Sequence, residues 1–246
     1  MPLNIRPRWV PAAFSSLLRV VALAGALLCG SPADSAPHFV DLRRIEPIHG
    51  NATSGSQKAT VCYACHGANG APTAPLFPRL SGQRPDYLYH RLVSFHLADP
   101  KDAYYAASPM TPLAAHLTDQ DMRDLAIYFA TQPPQALAAT AAETAPDRGQ
   151  QIFRTGDPPR GVPPCQGCHG TDANGSSVRS GQYAAYPSLR GQSAPYLIAR
   201  LKSYRDGLPH DTSNALIMGG VARNLDDESI EALAAWLSSL SPARSL

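Results

Sequence analysis

The sequence has little excess charge of either sign, few aromatic residues and no apolar run long enough to span a membrane. Its 246 residues include 21 Lys and Arg and 19 Asp and Glu, so no basic surface for nucleic acid is predicted. Aromatic residues are 7% of the chain and strand-like alternation is weak throughout, which argues against a β-sheet protein. The longest apolar run, residues 20–28, falls short of the roughly 20 residues that cross a bilayer.

Residues 1–33 have the pattern of an export signal. Arg6 and Arg8 form a basic start, the apolar run follows, and the small residues Ser31 and Ala33 precede a cleavage site before residue 34. We therefore predict a signal peptide over residues 1–33 and a periplasmic mature protein. Retention of the segment as a membrane anchor is the alternative. The leader contains Cys29, so the remaining four cysteines all lie in two short motifs and leave no pair for a structural disulfide.

Two pentapeptides, at residues 62–66 and 165–169, have the form Cys-x-x-Cys-His. This is the attachment signature of c-type haem, in which two thiols bond to the porphyrin vinyl groups and the histidine ligates iron. The motifs therefore predict two covalent haem c groups. Their attachment residues are Cys62, Cys65, Cys165 and Cys168, and their proximal iron ligands are His66 and His169.

A zinc knuckle and a thioredoxin-like redox pair also use Cys-x-x-Cys. Zinc needs four protein ligands in a closed tetrahedron, whereas each motif offers three, with the histidine too close to the second cysteine. A redox pair needs a βαβ context and no histidine. Both alternatives therefore fit the sequence less well than haem.

The chain repeats itself after the leader. The two haem motifs are 103 residues apart, and the segment Pro-Arg-Leu-Ser-Gly-Gln at residues 78–83 returns as Pro-Ser-Leu-Arg-Gly-Gln at residues 187–192. Repetition on this scale indicates two copies of one domain. The predicted organisation is a signal peptide (1–33), an N-terminal arm (34–54), a first domain (55–131), a Pro/Ala-rich linker (132–147) and a second domain (148–246). The arm is expected to be disordered by default, and docking is its alternative.

Helical patterns in both copies predict an all-α fold. Short helices are expected at 56–65 and 148–153, middle helices at 85–98 and 195–206, and closing helices after the acid-rich starts at 118–121 and 226–229. A unit of about 90 residues buries a small core by itself. Each domain is therefore predicted to be a small helical bundle wrapped around its covalent haem.

The second axial ligand decides the function, because a haem with two protein ligands normally carries electrons. Met110 and Met218 each lie seven residues before a leucine that matches between the repeats, so they occupy equivalent positions. Both are predicted to lie in loops and to ligate iron through the thioether. Met122 matches an isoleucine on the closing helix and is predicted to be a core residue. Bis-histidine ligation of one haem stays open.

Four features occur twice in tandem: Cys-x-x-Cys-His-Gly, Pro-x-Leu-x-Gly-Gln, a methionine and a Leu-x-Asp closing helix. The chain thereby resembles the two-haem class I cytochromes of the cytochrome c-four family over nearly all its mature length. The resemblance implies two class I domains about a pseudo-twofold axis, with the haem propionate edges facing each other. It also implies that Pro78 and Pro187 present carbonyl groups to His66 and His169.

The resemblance further implies a periplasmic carrier that moves single electrons between a respiratory donor and a terminal oxidase or dehydrogenase, with peripheral membrane association left open. No catalytic residue is predicted, and the chain is not expected to be an enzyme. The alternatives are a haem c subunit of a dehydrogenase or oxidase complex and a dihaem redox enzyme of the peroxidase or thiosulfate-oxidising type. Surface solvation is the expected role of four arginines, each taken singly, and pairing with haem propionates or steering of partners is the alternative: Arg79, Arg84, Arg190 and Arg200.

Overall fold

The computed structural model describes residues 39–99, 101–137, 146–178, 180–207 and 211–243. The predicted signal peptide lies outside these residues, as does much of the predicted linker. Regular structure in the described ranges is helical, and β-pairing there is limited to two isolated bridges, which confirms the all-α prediction. No helix in this part of the chain is long and apolar enough to cross a membrane.

The first half contains six described α-helices. They are α1 (Ala52–Lys58), α2 (Tyr63–His66), α3 (Pro85–His96), α4 (Ala103–Ala106), α5 (Met110–Ala114) and α6 (Asp119–Thr131). The helix expected at 56–65 is thus divided, because the 3-10 turn Ala59–Cys62 separates α1 from α2. Proline occupies the first turn of α3, where its missing N–H costs nothing. Thr118 and Asp121 form a capping box that starts α6, as the acid-rich start predicts.

The second half contains five described α-helices. They are α7 (Pro146–Thr155), α8 (Gln166–His169), α9 (Ala194–Arg205), α10 (Ser213–Ala222) and α11 (Asp227–Ser239). The Asp226 side chain accepts a hydrogen bond from the Ser229 N–H at 2.8 Å and caps α11. The longer loop of this half contains the 3-10 turn Gly181–Ala185. Both halves therefore have a first, a middle and a closing helix in the same order.

The closing helix is the centre of each core. In the first half, α6 packs against α1 and α3, and in the second half, α11 packs against α7 and α9. Met122 on α6 is 3% exposed, so the prediction that it belongs to the core is confirmed. The first helix crosses the closing helix at Gly55 in one half and at Gly149 in the other. At both crossings the absence of a side chain lets two backbones touch.

Both repeats belong to one compact unit, and buried arginines lie between them. Arg84 donates hydrogen bonds to backbone carbonyls of Ser176 (2.6 Å) and Ala184 (3.1 Å) in the second half. Arg79 donates to the Arg190 carbonyl at 2.8 Å. Arg79 and Arg84 are only 4% and 5% exposed, so the expectation of surface solvation is wrong for both. Each guanidinium satisfies carbonyl groups of the opposite repeat, which explains its burial.

The described part of the N-terminal arm packs on both halves instead of standing free. The Val40 N–H donates to the Asp211 carbonyl at 2.8 Å, and the Leu42 N–H donates to the Ser213 hydroxyl at 2.9 Å. A few residues later, the Ile48 N–H donates to the buried Asp86 carboxylate at 3.0 Å. The default expectation of disorder is therefore wrong for this part of the arm, whereas docking to a partner protein stays a prediction.

Candidate haem-binding sites

Each Cys-x-x-Cys-His segment ends in one short turn of helix. The helix α2 ends at His66 and α8 ends at His169. The following residue is Gly67 or Gly170, with φ of 72° and 79°. A Cβ at these glycines would lie 2.0 Å and 2.2 Å from a backbone carbonyl oxygen. Glycine is therefore required for the chain to turn back beside the histidine.

The four motif cysteines are half-buried, and no disulfide joins them to one another. Burial raises the pKa of the Cys62 and Cys168 thiols, and it raises the pKa of Cys165 to about 11. The thiols therefore have apolar surroundings that disfavour the thiolate form. No group of three or more His, Cys, Asp and Glu side chains suited to a metal ion occurs in the described ranges.

Both motif histidines are buried and oriented by a proline carbonyl. The distance from Nδ1 to the carbonyl oxygen is 3.0 Å for His66 and Pro78, and it is also 3.0 Å for His169 and Pro187. A carbonyl only accepts hydrogen bonds, so Nδ1 is the donor and the lone pair of Nε2 is left available for a metal. Burial lowers the pKa of both imidazoles, which favours the neutral form that binds metals.

The equal histidine–proline distances are reached across loops of different length. The second proline follows its histidine by 18 residues and the first by 12. The second loop takes up its extra residues around the 3-10 turn Gly181–Ala185. The insertion therefore leaves the hydrogen bond to the imidazole unchanged.

The two methionines lie in helices, so the prediction that both lie in loops is wrong. Met110 is the first residue of α5, and Met218 lies inside α10. A proline at position 112 is compatible with the first turn of a helix. The glycines at 219 and 220 are accommodated within α10, which the Thr212 side chain caps. Both methionine side chains are half-buried.

All ten site residues predicted from the sequence line one continuous cavity of about 440 Å³. They are Cys62, Cys65, His66, Pro78, Met110, Cys165, Cys168, His169, Pro187 and Met218. The cavity also reaches the cores of both halves, including Leu125, Phe129 and Leu233. Two thiols, an imidazole and a thioether therefore face a common apolar space in each half. This donor set fits a covalently attached porphyrin with two axial ligands.

Polar groups of this cavity point to an anionic ligand group. Arg91 and Arg200 both line it, and no ion pair with a carboxylate joins either of them among the described residues. The Arg91 guanidinium lies 4.8 Å from the Phe95 ring centroid, and Arg200 donates to the Tyr204 hydroxyl at 2.8 Å. The buried amide atoms of Asn214, also at the cavity, have no hydrogen-bond partner within the described part of the protein. The carboxylate of a haem propionate has the negative charge that would pair with Arg91 or Arg200, and its oxygens would accept a hydrogen bond from the Asn214 amide.

The other histidines do not form a repeated site. His96 Nδ1 donates a hydrogen bond to the Ala114 carbonyl (2.9 Å), and His116 and His49 are exposed. His90 lines the cavity, where burial lowers its pKa to about 4, but its counterpart in the second half is Ala199. His38 and His210 lie outside the described residues.

Sequence reasoning offered propionate pairing as an alternative role of Arg200, but it missed the group of arginine and tyrosine side chains to which Arg200 belongs. Tyr87 and Arg91 match Tyr196 and Arg200 at the same spacing of 109 residues, and all four line the cavity. The signal was therefore present in the repeat, but aromatic and basic residues at helical spacing are equally typical of a surface. Burial raises the pKa of Tyr87 and the neighbouring Tyr196 adds to this effect, so side chains of the two halves meet at the cavity.

Comparisons with known proteins agree with this geometry. The Cytochrome c family model matches residues 52–133 and 146–241. Cytochrome c4 of Thiocapsa roseopersicina is 39% identical over 196 residues, which cover 79% of this chain and 95% of that protein. The thiosulfate dehydrogenase electron acceptor of Stutzerimonas stutzeri (strain A1501) is 32% identical over 184 residues, with coverage of 74% and 80%.

A solved structure gives the same result. The crystal structure of reduced recombinant cytochrome c4 from Pseudomonas stutzeri matches with a TM-score of 0.65 and 32% identity. The match covers 78% of this chain and 100% of that chain. Two tandem cytochrome c domains, the repeated haem motifs and these relatives lead to one conclusion. The chain belongs to the cytochrome c4 family, the electron-transfer cytochromes with two covalently bound haem c groups.

Proposed function

We propose that this protein is a periplasmic electron carrier in which both irons have two protein ligands. His66 and Met110 ligate the first iron, and His169 and Met218 ligate the second. The observation that carries the proposal is the convergence of both repeat-matched sets on one cavity. Each haem, when bound, accepts and releases one electron as its iron alternates between the ferric and ferrous states.

The side chains around the cavity bind, orient and shield. The cysteines fix each porphyrin covalently, and the proline carbonyls hold the imidazole rings in one orientation through the 3.0 Å hydrogen bonds. Arg91 and Arg200 supply positive charge for propionate carboxylates. The surrounding apolar side chains exclude water, which keeps the site rigid between the two oxidation states. No side chain is required to act as acid, base or nucleophile, so the protein is proposed not to be an enzyme.

Replacement of the methionines tests the ligand assignment. Met110→Ala should remove the weak far-red charge-transfer band of Met-ligated ferric haem from one of the two haems, and Met218→Ala should remove it from the other. Each variant should also let one ferrous haem bind carbon monoxide. The optical spectrum of the oxidised and reduced holoprotein measures both effects.

The third methionine provides the control for this experiment. Met122 is buried in the first core, and its repeat partner is Ile230, so Met122→Leu should leave the band and the carbon monoxide reaction unchanged. A full band in both alanine variants would overturn the ligand assignment. Rapid carbon monoxide binding by the unmutated protein would favour the enzyme alternatives.

The electron donor is proposed to be a periplasmic dehydrogenase, with a terminal oxidase as acceptor. Support comes from the relative named as a thiosulfate dehydrogenase electron acceptor, of which the aligned region covers 80%. In a mixture of purified protein, thiosulfate and a thiosulfate dehydrogenase, the haems should be reduced only when the dehydrogenase is present. Reduction by thiosulfate alone would identify a thiosulfate-oxidising enzyme. Stable co-purification with a dehydrogenase or oxidase would favour the haem c subunit alternative.

The periplasmic location rests on the predicted signal peptide at residues 1–33. N-terminal sequencing of the mature protein should begin at Asp34, and the protein should appear in the periplasmic fraction. Recovery with the membrane and an intact leader would instead indicate a retained anchor.

A further inference from the structure

Two glutamine side chains make reciprocal contacts across the interface between the halves. Gln192 accepts a hydrogen bond from the Arg79 N–H at 2.8 Å and donates one to the Arg79 carbonyl at 3.1 Å. Gln83 accepts from the Ser188 N–H at 2.8 Å and donates to the Ser188 carbonyl at 2.9 Å. The two pairs are related by the repeat spacing, so each half gives the other the same contact. This reciprocity is what a twofold relation between the halves requires.

The residues held in this way adjoin the prolines of the haem sites. The Arg79 N–H and the Pro78 C=O belong to one planar peptide group, and the Pro78 oxygen is the acceptor for His66 Nδ1. One amide plane therefore connects Gln192 of the second half to the imidazole of the first half. The Pro187–Ser188 peptide connects Gln83 to His169 in the same manner.

Hydrogen bonds in such a chain strengthen one another. When an amide N–H donates, electron density at its own carbonyl oxygen increases, and the oxygen becomes a better acceptor. The effect is largest where water is excluded, and Gln83, Gln192, Arg79 and Ser188 are all 6% exposed or less. The second bond of each glutamine goes to the carbonyl of the next peptide group, so Arg79 and Ser188 are each held at both their N–H and their C=O. The glutamine of one half thus determines both the strength and the direction of the proximal hydrogen bond in the other.

We propose that Gln192 and Gln83 are positioning residues that act across the interface, each setting the proximal histidine hydrogen bond and thereby the reduction potential of the haem in the opposite half. The proposal rests on the proposed function, in which His66 and His169 ligate iron. A stronger bond from Nδ1–H makes the imidazole more electron-rich and stabilises ferric iron. Loss of the glutamine should therefore favour the ferrous state of the haem across the interface.

The experiment is a redox titration of the holoprotein in which each haem is followed by its own paramagnetically shifted NMR signals. These signals are assigned with the Met110→Ala and Met218→Ala variants. Gln192→Met should raise the equilibrium constant for reduction of the His66 haem about threefold, or about 28 mV at 59 mV per tenfold change. The His169 haem should stay unchanged. Gln83→Met should give the mirror-image result.

Ser193→Ala is the matched control. The buried Ser193 hydroxyl also donates across the interface, to the Pro75 carbonyl, but it does not touch the Pro78–Arg79 peptide. This variant should therefore move neither potential. In the glutamine variants, a shift only in the haem of the mutated half, an equal shift in both haems, or no shift in either haem would overturn the proposal.

A second variant covers the case in which Gln192→Met does not fold. Gln192→Glu keeps the oxygen that accepts from the Arg79 N–H, so the His66 Nδ1 proton should exchange with solvent as slowly as in the unmutated protein. Faster exchange would contradict the proposal. Failure of the proposed function is distinguishable, because the unmutated protein would then lack the far-red methionine band before any glutamine is changed.

Discussion

The two halves have the same crossing of first and closing helices but fill it with different chemistry. At the crossing in the first half, Asp124 is 3% exposed and its carboxylate accepts from the Asn51 N–H at 2.8 Å and from Lys58 at 3.1 Å. The equivalent residue in the second half is Ala232, which is also buried. In the first half, hydrogen bonds to a buried carboxylate stabilise the contact between the first and closing helices, whereas in the second half this contact is apolar. The close backbone crossing is therefore common to both halves, whereas the side chains around it differ.

The aromatic residues one turn further along differ in the same sense. The Tyr128 hydroxyl lies 2.5 Å from the Tyr63 hydroxyl and donates to the Asn69 side chain at 3.1 Å. In the second half, the indole of Trp236 instead packs against the Phe153 ring in a tilted arrangement, with the ring centroids 4.9 Å apart. Hydrogen bonds therefore specify the first core, whereas packed aromatic area specifies the second.

The largest effect is expected where the halves are alike. A Cβ at Gly55 would lie 2.2 Å from the Asp124 carbonyl oxygen, and one at Gly149 would lie 2.0 Å from that of Ala232. Gly55→Ala and Gly149→Ala should each lower the free energy of unfolding by about 3 kcal/mol, because a backbone must move to relieve the clash. Denaturant titration measures the loss.

Gly220→Ala is the control for these two substitutions. Its Cβ would meet nothing within 4 Å, and the residue lies inside α10. It should raise the free energy of unfolding by about 0.5 to 1 kcal/mol through better helix propensity. Destabilisation at only one of the two crossings would mean that the halves do not share this requirement.

The second effect is a dependence of stability on pH, which the buried Asp124 gives to the first half and which Ala232 cannot give to the second. Hydrogen bonds from the Asn51 N–H, Gln120 and Lys58 hold the pKa of Asp124 below its usual value. A lowered pKa in the folded state gives stability that is complete above about pH 4 and is lost as the pH falls through the folded-state pKa. Asp124→Ala should lower the free energy of unfolding at neutral pH by about 2 kcal/mol and should flatten its dependence on pH below 4.

The exposed acid Glu46 provides the control for this measurement. Glu46→Gln should change the free energy of unfolding by less than about 0.5 kcal/mol. An unchanged acid dependence in Asp124→Ala would show that the buried carboxylate does not distinguish the halves.

The smallest effect concerns the tyrosine hydroxyl. Tyr128→Phe keeps the ring but removes the bonds to Tyr63 and Asn69, so it should cost about 1 kcal/mol in the free energy of unfolding. Tyr183→Phe is the matched control, since no hydrogen bond of its hydroxyl is found within the described ranges. Equal free energies of unfolding for the two variants would show that the hydrogen bonds of the Tyr128 hydroxyl do not stabilise the first core.

Much of this architecture follows from local sequence signals. The haem motifs, the repeat and the closing helices were predicted because each depends on residues close together in the chain, such as Thr118 and Asp121 of a capping box. The methionine positions were predicted from the repeat, but their helices were not. Proline and glycine near Met110 and Met218 indicate loops by propensity, and packing in the cavity wall overrides that weak preference.

The contacts between the halves could not be predicted in the same way. Arg84 and Gln83 form hydrogen bonds with backbone carbonyls about a hundred residues away. Because every residue has a backbone carbonyl, no residue type in the sequence indicates which one will be the acceptor. The two Gly-Gln pairs were recognised as part of the repeat; their glycines lie in turns, and the contacts of their amide side chains were overlooked. Both glycines do have positive φ, 69° at Gly82 and 64° at Gly191, as such turns require.

The docked arm has a consequence for the order of assembly. The hydrogen bond from Leu42 to Ser213 joins residues 171 positions apart. Closing so long a loop costs conformational entropy, and the helices of the repeats must form first to provide the surface on which the arm packs. We therefore expect the arm to dock last during folding and, for the same reason, to detach first during unfolding.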